Sequence, residues 1–398
     1  MKKTIFKTLW ALLVVATIAP LASCSSDDDE GVKSFKVNVT IGLPEGVAAD
    51  NVEGLQLIAT KGTVSDTVNI ANPAATEITL PQGQYTFTVT GKVKDEATAY
   101  LTGKASADIY SEKAVTVALS KVTKSSLIFK SLFTTGGYQY YMLDSYFEIV
   151  NNSDEVQYLD GVIISAPQGN QSEANAWQAN GVTDLYASGQ GAVLAFPGTG
   201  KDYPLEPGKS VLIANNATNH KEAAPEGNIC PDLSNADWEV YLDNVNGEID
   251  YPAPNLKVIY TNNTYMKAFG LGVMGRGYIL AKLPEGTTPE EYAADSTNIQ
   301  TEPGSTGTMQ YLMIPSKYVL DAVDIWNGKN DTHYGTFLPK DDAQGVLASE
   351  TWEGKCIRRK VTEIKNGRPY YQDTNNSAAD FLNNQECTPG VTPTQVDK

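Results

Sequence analysis

Beyond residue 34 the chain alternates. Phe35-Lys36-Val37-Asn38-Val39-Thr40-Ile41 places an apolar side chain at every second position, the period of a strand with one face buried. Leu55-Gln56-Leu57-Ile58-Ala59, residues 76–80 and Tyr85-Thr86-Phe87-Thr88-Val89-Thr90 repeat the pattern, and residues 114–119 close the set. Pro44-Glu45-Gly46 and Pro81-Gln82-Gly83 break the runs, as turns between short antiparallel strands do. The spacing predicts a small β-sandwich over 35–120, with a boundary near 120–124.

The pattern then lengthens. Strands are predicted at 126–133, 144–150 and 158–165, with the turn cluster Asn151-Asn152-Ser153-Asp154-Glu155 between the last two. Others follow at 203–214, 233–243, 277–283, 320–326 and 354–360. Helical periodicity is scarce; Pro289-Glu290-Glu291-Tyr292-Ala293-Ala294 is the best short candidate. The expectation is an all-β protein: the small sandwich, then a larger β domain over 124–390 and a tail at 391–398. Residues 244–318 exceed what a compact sandwich needs and are expected to form an inserted lobe.

The first 34 residues differ from the rest. Lys2, Lys3 and Lys7 precede an apolar run from Leu9 to Ala22, too short to span a bilayer but proportioned like a secretory core. Leu21-Ala22-Ser23-Cys24 resembles the lipobox of bacterial lipoproteins, which implies removal of 1–23 and lipidation of Cys24. Two or more acyl chains hold a protein firmly on a membrane. Ser26-Asp27-Asp28-Asp29-Glu30, inside an acidic tether over 24–34, resembles the signal that sends Bacteroidota lipoproteins to the outer face of the outer membrane.

Charge changes the picture less than address does. The 398 residues carry 30 basic and 47 acidic side chains, a formal charge of −17. Loss of 1–23 removes three lysines and no acids, giving −20. That balance disfavours nucleic acid and anionic lipid as partners. With Cys24 lipidated, Cys230, Cys356 and Cys387 remain; a Cys356–Cys387 bridge is one expectation, three buried thiols the other.

Candidate chemistry is thin. Gly270-Leu271-Gly272-Val273-Met274-Gly275 fits G-x-G-x-x-G but precedes a predicted strand, where the dinucleotide fingerprint needs a helix. His220 and His333 are the only histidines, and no G-x-S-x-G elbow or H-E-x-x-H occurs. Asp321 and Asp324 lie three apart on a strand and so face opposite sides. Asp373, Asn375, Ser377 and Asp380 gather hard oxygen ligands in one loop and are a calcium candidate that lacks the full EF-hand pattern. Of the aromatic residues, including Trp177, Tyr186, Trp238 and Trp326, most are expected in the core; loop-borne Tyr138, Tyr140 and Tyr141 are the candidates for stacking against a ligand. No cofactor is implied.

Three resemblances extend this reading. Leu80-Pro81-Gln82-Gly83-Gln84-Tyr85-Thr86-Phe87 resembles the turn of transthyretin-like and carboxypeptidase-regulatory-like modules, usually spacers or docking units. The run Tyr146-Phe147-Glu148-Ile149-Val150-Asn151-Asn152-Ser153, with Leu205-Glu206-Pro207-Gly208, Leu233-Ser234-Asn235 and Gly354-Lys355-Cys356-Ile357-Arg358, resembles a lamin-tail-like Ig-type domain. Together with Tyr371-Gln372-Asp373-Thr374-Asn375-Asn376-Ser377, these pieces are similar to a Bacteroidota surface-lipoprotein family that accompanies outer-membrane transporters. The resemblance implies a non-catalytic, ligand-capturing or docking accessory to a TonB-dependent type of transporter. A structural or adhesive surface protein binding glycan or matrix is the alternative, and a hydrolase the least favoured.

Overall fold

A computed structural model describes residues 32–397, apart from 63, 71–72, 74–75, 97–98, 170–172, 183, 244–247, 263–268, 270–271, 273–274 and 330–332. Cys24 and Ser26–Glu30 therefore lie outside the described residues, as does most of 270–275. The protein is all-β, with 47% of residues in strands and 8% in helices. No helix among the described residues is long and apolar enough to cross a membrane.

Two sheets make the first layer pair. Ser34–Gly42 runs between Thr76–Pro81, antiparallel, and Lys113–Ala118, parallel. Facing it, five strands follow the order Val64–Asn69, Val52–Lys61, Gly83–Val93, Ala99–Ile109, Ser120–Thr123. Strict alternation in Ser34–Gly42 sends Val37, Val39 and Ile41 inward against Leu57, Phe87, Val89 and Leu101. Gly83 (φ +152°) starts its strand because the Lys61 stem fills the space where a Cβ would stand. The Lys61 ammonium then donates to the Gln82 carbonyl at 2.7 Å.

The second layer pair is larger. Six strands follow the order Trp238–Glu239, Ser210–Ala214, Tyr146–Asn151, Leu127–Phe133, Lys355–Arg359, Phe381–Glu386. The opposing sheet runs Ile299–Thr301, Gln310–Pro315, Leu185–Ala195, Val162–Pro167, Arg276–Lys282, Val319–Trp326, Val346–Leu347, with Lys257–Thr261 also on Leu185–Ala195. Phe129, Phe147, Ile164, Leu194, Tyr278, Leu280, Val323 and Ile357 fill the space between the sheets. Truncating a buried Phe there costs about 3–5 kcal/mol. The outer face of the second sheet is apolar too: Ile163, Val193, Ile279, Leu312 and Ile314 pack under Tyr292 and Ala293 of helix Pro289–Ala294. That helix begins as its sequence dictates, with Thr288 and Glu291 forming a capping box and Pro289 in the first turn.

Two expectations change. The described residues of 244–318 do not form a separate lobe: Arg276–Lys282 is an interior strand, paired with Val162–Pro167 on one side and Val319–Trp326 on the other. Its residues Gly277–Ala281 are buried, so the stretch read as an insertion supplies the middle of the sheet. Ser120–Thr123, expected as a boundary, is a strand of the small sandwich paired with Ala99–Thr102. Residues Ser34–Lys398 cohere as one compact unit.

Candidate functional site

The strand Val319–Trp326 organises the polar interior. Its two aspartates diverge. Asp321 faces the space between the large sheets, where its Oδ2 accepts from the Phe129 backbone N–H (2.7 Å) and from Arg359 Nη2 (2.7 Å). Arg359 is 1% exposed. Its guanidinium also donates to the Phe129 carbonyl (2.8 Å), the Gln372 carbonyl (3.0 Å), Asp373 (3.3 Å) and Asp380 (3.4 Å), and lies over the Phe381 ring. The loop read as a calcium candidate is therefore built around an internal cation. Asp373 and Asp380 face the guanidinium, Asn375 donates to the Lys340 carbonyl, and the Ser377 hydroxyl donates to Asp342.

Burial pushes the Asp321 carboxyl up to about 7, against the pull of Arg359. Desolvation also raises Asp324, Asp341, Asp342, Asp373 and Glu148. A raised folded-state value means the fold holds a proton that the unfolded chain has released. The Asp321 contribution is full below the unfolded value, roughly pH 4, and is lost as pH rises through about 7. Thermal unfolding scans should show a higher melting temperature near pH 5.5 than near pH 8.5; a rise across that interval would contradict the buried-carboxylate account.

Asp324 faces the other way. Its carboxylate accepts from Trp326 Nε1 (2.9 Å) and from the backbone N–H (2.7 Å) and hydroxyl (3.0 Å) of Thr336. These bonds hold the Trp326 indole edge-on and fix the loop 333–337. Gln178 steadies the same loop by donating to the carbonyls of Gly335 (2.9 Å) and Thr336 (3.3 Å). His333 stacks on the Trp326 ring, centroids 4.6 Å apart and 5° from parallel. Gly345 is required beside them, since a Cβ there would stand 2.3 Å from Trp326 Nε1.

Trp326 sits where the small sandwich meets the large domain, and a cleft opens on both sides of it. One half, about 280 Å³, is walled by Gln84, Tyr85, Thr86, Lys104 and Ser106 of the small sandwich and by Trp326, His333, Tyr334 and Phe337 of the large domain. The other half, about 340 Å³, lies among Thr60, Ser65, Gln344, Val346, Lys360, Phe381 and Asn383. Thr60, Gly62 and Trp326 line both halves. Gln344 ties the walls together by donating to Thr60 Oγ1 (3.3 Å). Ring faces with a few placed polar groups at a junction of β units are the usual composition of a ligand site.

Lys104 enters this cleft from strand Ala99–Ile109, and its ammonium lies 5.2 Å from the Trp326 ring centroid. Burial pulls its pKa below the ordinary lysine range, and Asp324 and Asp342 pull it back. The lone charge in Leu101-Thr102-Gly103-Lys104-Ala105 was the sequence signal for this side chain. The cleft as a whole joins segments more than 200 positions apart and has no local signature.

The other candidates scatter. Tyr140 is 76% exposed, with its ring 6.1 Å from that of Trp352. Tyr138 is half-buried. Tyr141 donates to Nδ1 of His220 (2.8 Å), and burial pushes its phenol up to about 12. His220 is fully buried at the start of the short helix His220–Ala223; its Nε2 donates to the Asn216 carbonyl (2.9 Å), which fixes the neutral tautomer. Trp177, Tyr186 and Trp238 are core residues, as expected. Cys356 and Cys387 are neighbours but both are thiols, not a bridge. The ladder sets Cys356 opposite Gln385, and each thiol donates to a backbone carbonyl, of Glu386 and Gly354 respectively.

Residues 206–388 match the family model described as "Protein of unknown function (DUF4876)". A solved structure of a DUF4876 family protein from Bacteroides thetaiotaomicron superposes with a TM-score of 0.58 at 25% identity, covering 91% of this chain and 98% of that one. A candidate adhesin from Bacteroides ovatus aligns over 76% of this chain and 90% of its own, at 11% identity and a TM-score of 0.18, too low to carry an argument. No curated protein matches.

Proposed function

We propose that the chain is a non-catalytic, lipid-anchored protein of the outer-membrane exterior that captures a small ligand and serves an outer-membrane transporter of the TonB-dependent type. The observation that carries the capture half is the Trp326 cleft, walled by rings and hydrogen-bonding groups from two β units. Asp324, which holds the Trp326 indole, accepts from Trp326 and Thr336, which leaves it poorly placed to act as a general base. The lipobox at Cys24 and the acidic run after it support the address. The transthyretin-like and lamin-tail-like resemblances are compatible with the paired sandwiches.

The accessory role is tested by purifying the full chain from detergent-solubilised outer membrane. A barrel transporter should accompany it, and a Cys24→Ala chain should leave the membrane. Recovery without a partner, from cells whose nutrient uptake does not depend on the protein, would contradict the role. One observation favours adhesion instead: exposed Tyr140 and Met142 share the loop between Leu127–Phe133 and Tyr146–Asn151, with Trp352 beside Tyr140. A deletion strain with altered adherence and normal uptake would select that second reading.

A further inference from the structure

The cleft's chemistry is asymmetric. Lys104 is the cation on the 280 Å³ side, and among the described residues its ammonium makes no salt bridge. The two carboxylates nearest in charge are already satisfied by other donors. Asp324 takes Trp326 and Thr336, and Asp342 takes the backbone N–H of Asp324 (2.8 Å) and the N–H (2.8 Å) and hydroxyl (2.7 Å) of Ser377. They steady the charge of Lys104 without claiming its N–H groups. A half-buried ammonium without a bonded counter-ion is unfavourable, and an anion that arrives with a ligand relieves it.

The rest of this half suits a hydroxylated ring. Tyr334 is 47% exposed and lines the cavity. Gln84, Thr86 and Ser106 bring neutral donors and acceptors along the opposite wall. Asp108 also stands at the rim, where it is solvent-exposed and screened. A cationic ligand would meet Lys104, and a wholly apolar one would leave the ammonium and hydroxyls unmatched.

We propose that this half of the cleft takes a ring-shaped carboxylate, the chemistry of a hexuronic acid, with its carboxylate on Lys104 and its ring against Tyr334. The assignment rests on the reading of the cleft as the capture site and names the ligand class for it. A chain of net negative charge then selects an acidic ligand through one half-buried cation, so binding should weaken with salt.

Calorimetric titration of the full chain with D-glucuronate, D-galacturonate, D-glucose and D-galactose tests this. The uronates should bind at least about tenfold more tightly than their neutral counterparts. Lys104→Met should erase that preference, Lys104→Arg should keep most of it, and Tyr334→Ala should weaken both classes. Melting temperatures of the variants, matched to the parent, separate lost binding from lost folding. Equal binding of acids and neutral sugars would overturn the ligand class and leave the capture site standing. Binding of none of the four, with Tyr334→Ala indistinguishable from the parent, would overturn both.

Discussion

Replacing Arg359 with methionine should lower stability by about 3–5 kcal/mol, the cost of stranding buried charge by removing its partner. Methionine fills much the same volume, so the loss is electrostatic. Three carboxylates, Asp321, Asp373 and Asp380, would then face one another between the sheets without the guanidinium that joins them. The same side chain holds the Phe129 and Gln372 carbonyls, so strand Leu127–Phe133 and the 372–380 loop lose an anchor together. Urea unfolding followed by tryptophan fluorescence gives the midpoint. Arg359→Lys keeps the charge but loses the planar fork and should fall between parent and Arg359→Met. Adding Asp321→Asn to Arg359→Met should recover part of the loss, because it removes one stranded charge. A midpoint for Arg359→Met within about 0.5 kcal/mol of the parent would place it among ordinary surface changes and refute the central role of the cluster.

Ending the chain after Cys387 should have the second-largest effect. The segment 388–397 lies across the six-stranded sheet as a strap. Lys130 and Glu148, almost fully buried, pair at 2.8 Å beneath it. Lys130 donates to the Val391 carbonyl (2.8 Å), and Glu148 accepts from the Gly390 N–H (3.0 Å). Asp397 closes the strap with two bonds from Arg358 (2.7 and 2.6 Å) and one from the Val361 N–H (2.8 Å). Truncation removes these partners and admits water to the pair. Bonds to charged groups contribute roughly 1.5–3 kcal/mol each, and water replaces part of that, so a net loss of about 2–4 kcal/mol is expected. Asp397→Ala keeps the strap but unlatches it and should cost about 1 kcal/mol, since the pair is partly exposed. Unchanged melting in the truncated chain would show the strap to be passive.

The sequence and the structure agree where contrast along the chain is strong. Ser34–Gly42 and Gly83–Val93 alternate large apolar with polar residues, and both are strands. The short helical candidate over 289–294 is the helix Pro289–Ala294. Ala99–Ile109 escaped because its residues are mostly small, so its period of two carries little amplitude, although it is a central strand of the small sandwich. The segment 244–318 was misread for a different reason. Its length was measured against a compact template, while strand pairing is non-local and put Arg276–Lys282 in the middle of the sheet.

The site was legible only in fragments. The opposite facing of Asp321 and Asp324 followed from the strand period, and each heads a separate polar network. Trp326 was noticed as an aromatic residue, and its ring is indeed buried; what sequence could not supply is that its edges border two cavities. Arg359, Lys130 and Glu148 were not singled out as buried charges because charge usually stays in water, and their partners lie on other strands. Lys104 and Tyr334 meet only through the junction of the two β units.

The claim on which the function depends is that the Trp326 cleft is where ligand binds. Diffraction from crystals of the chain soaked in D-galacturonate tests it most directly. The account predicts a bound ring between Tyr334 and the small-sandwich wall, with its carboxylate on Lys104. Sugar density at Tyr140 and Trp352, with only water between Lys104 and Tyr334, would contradict it.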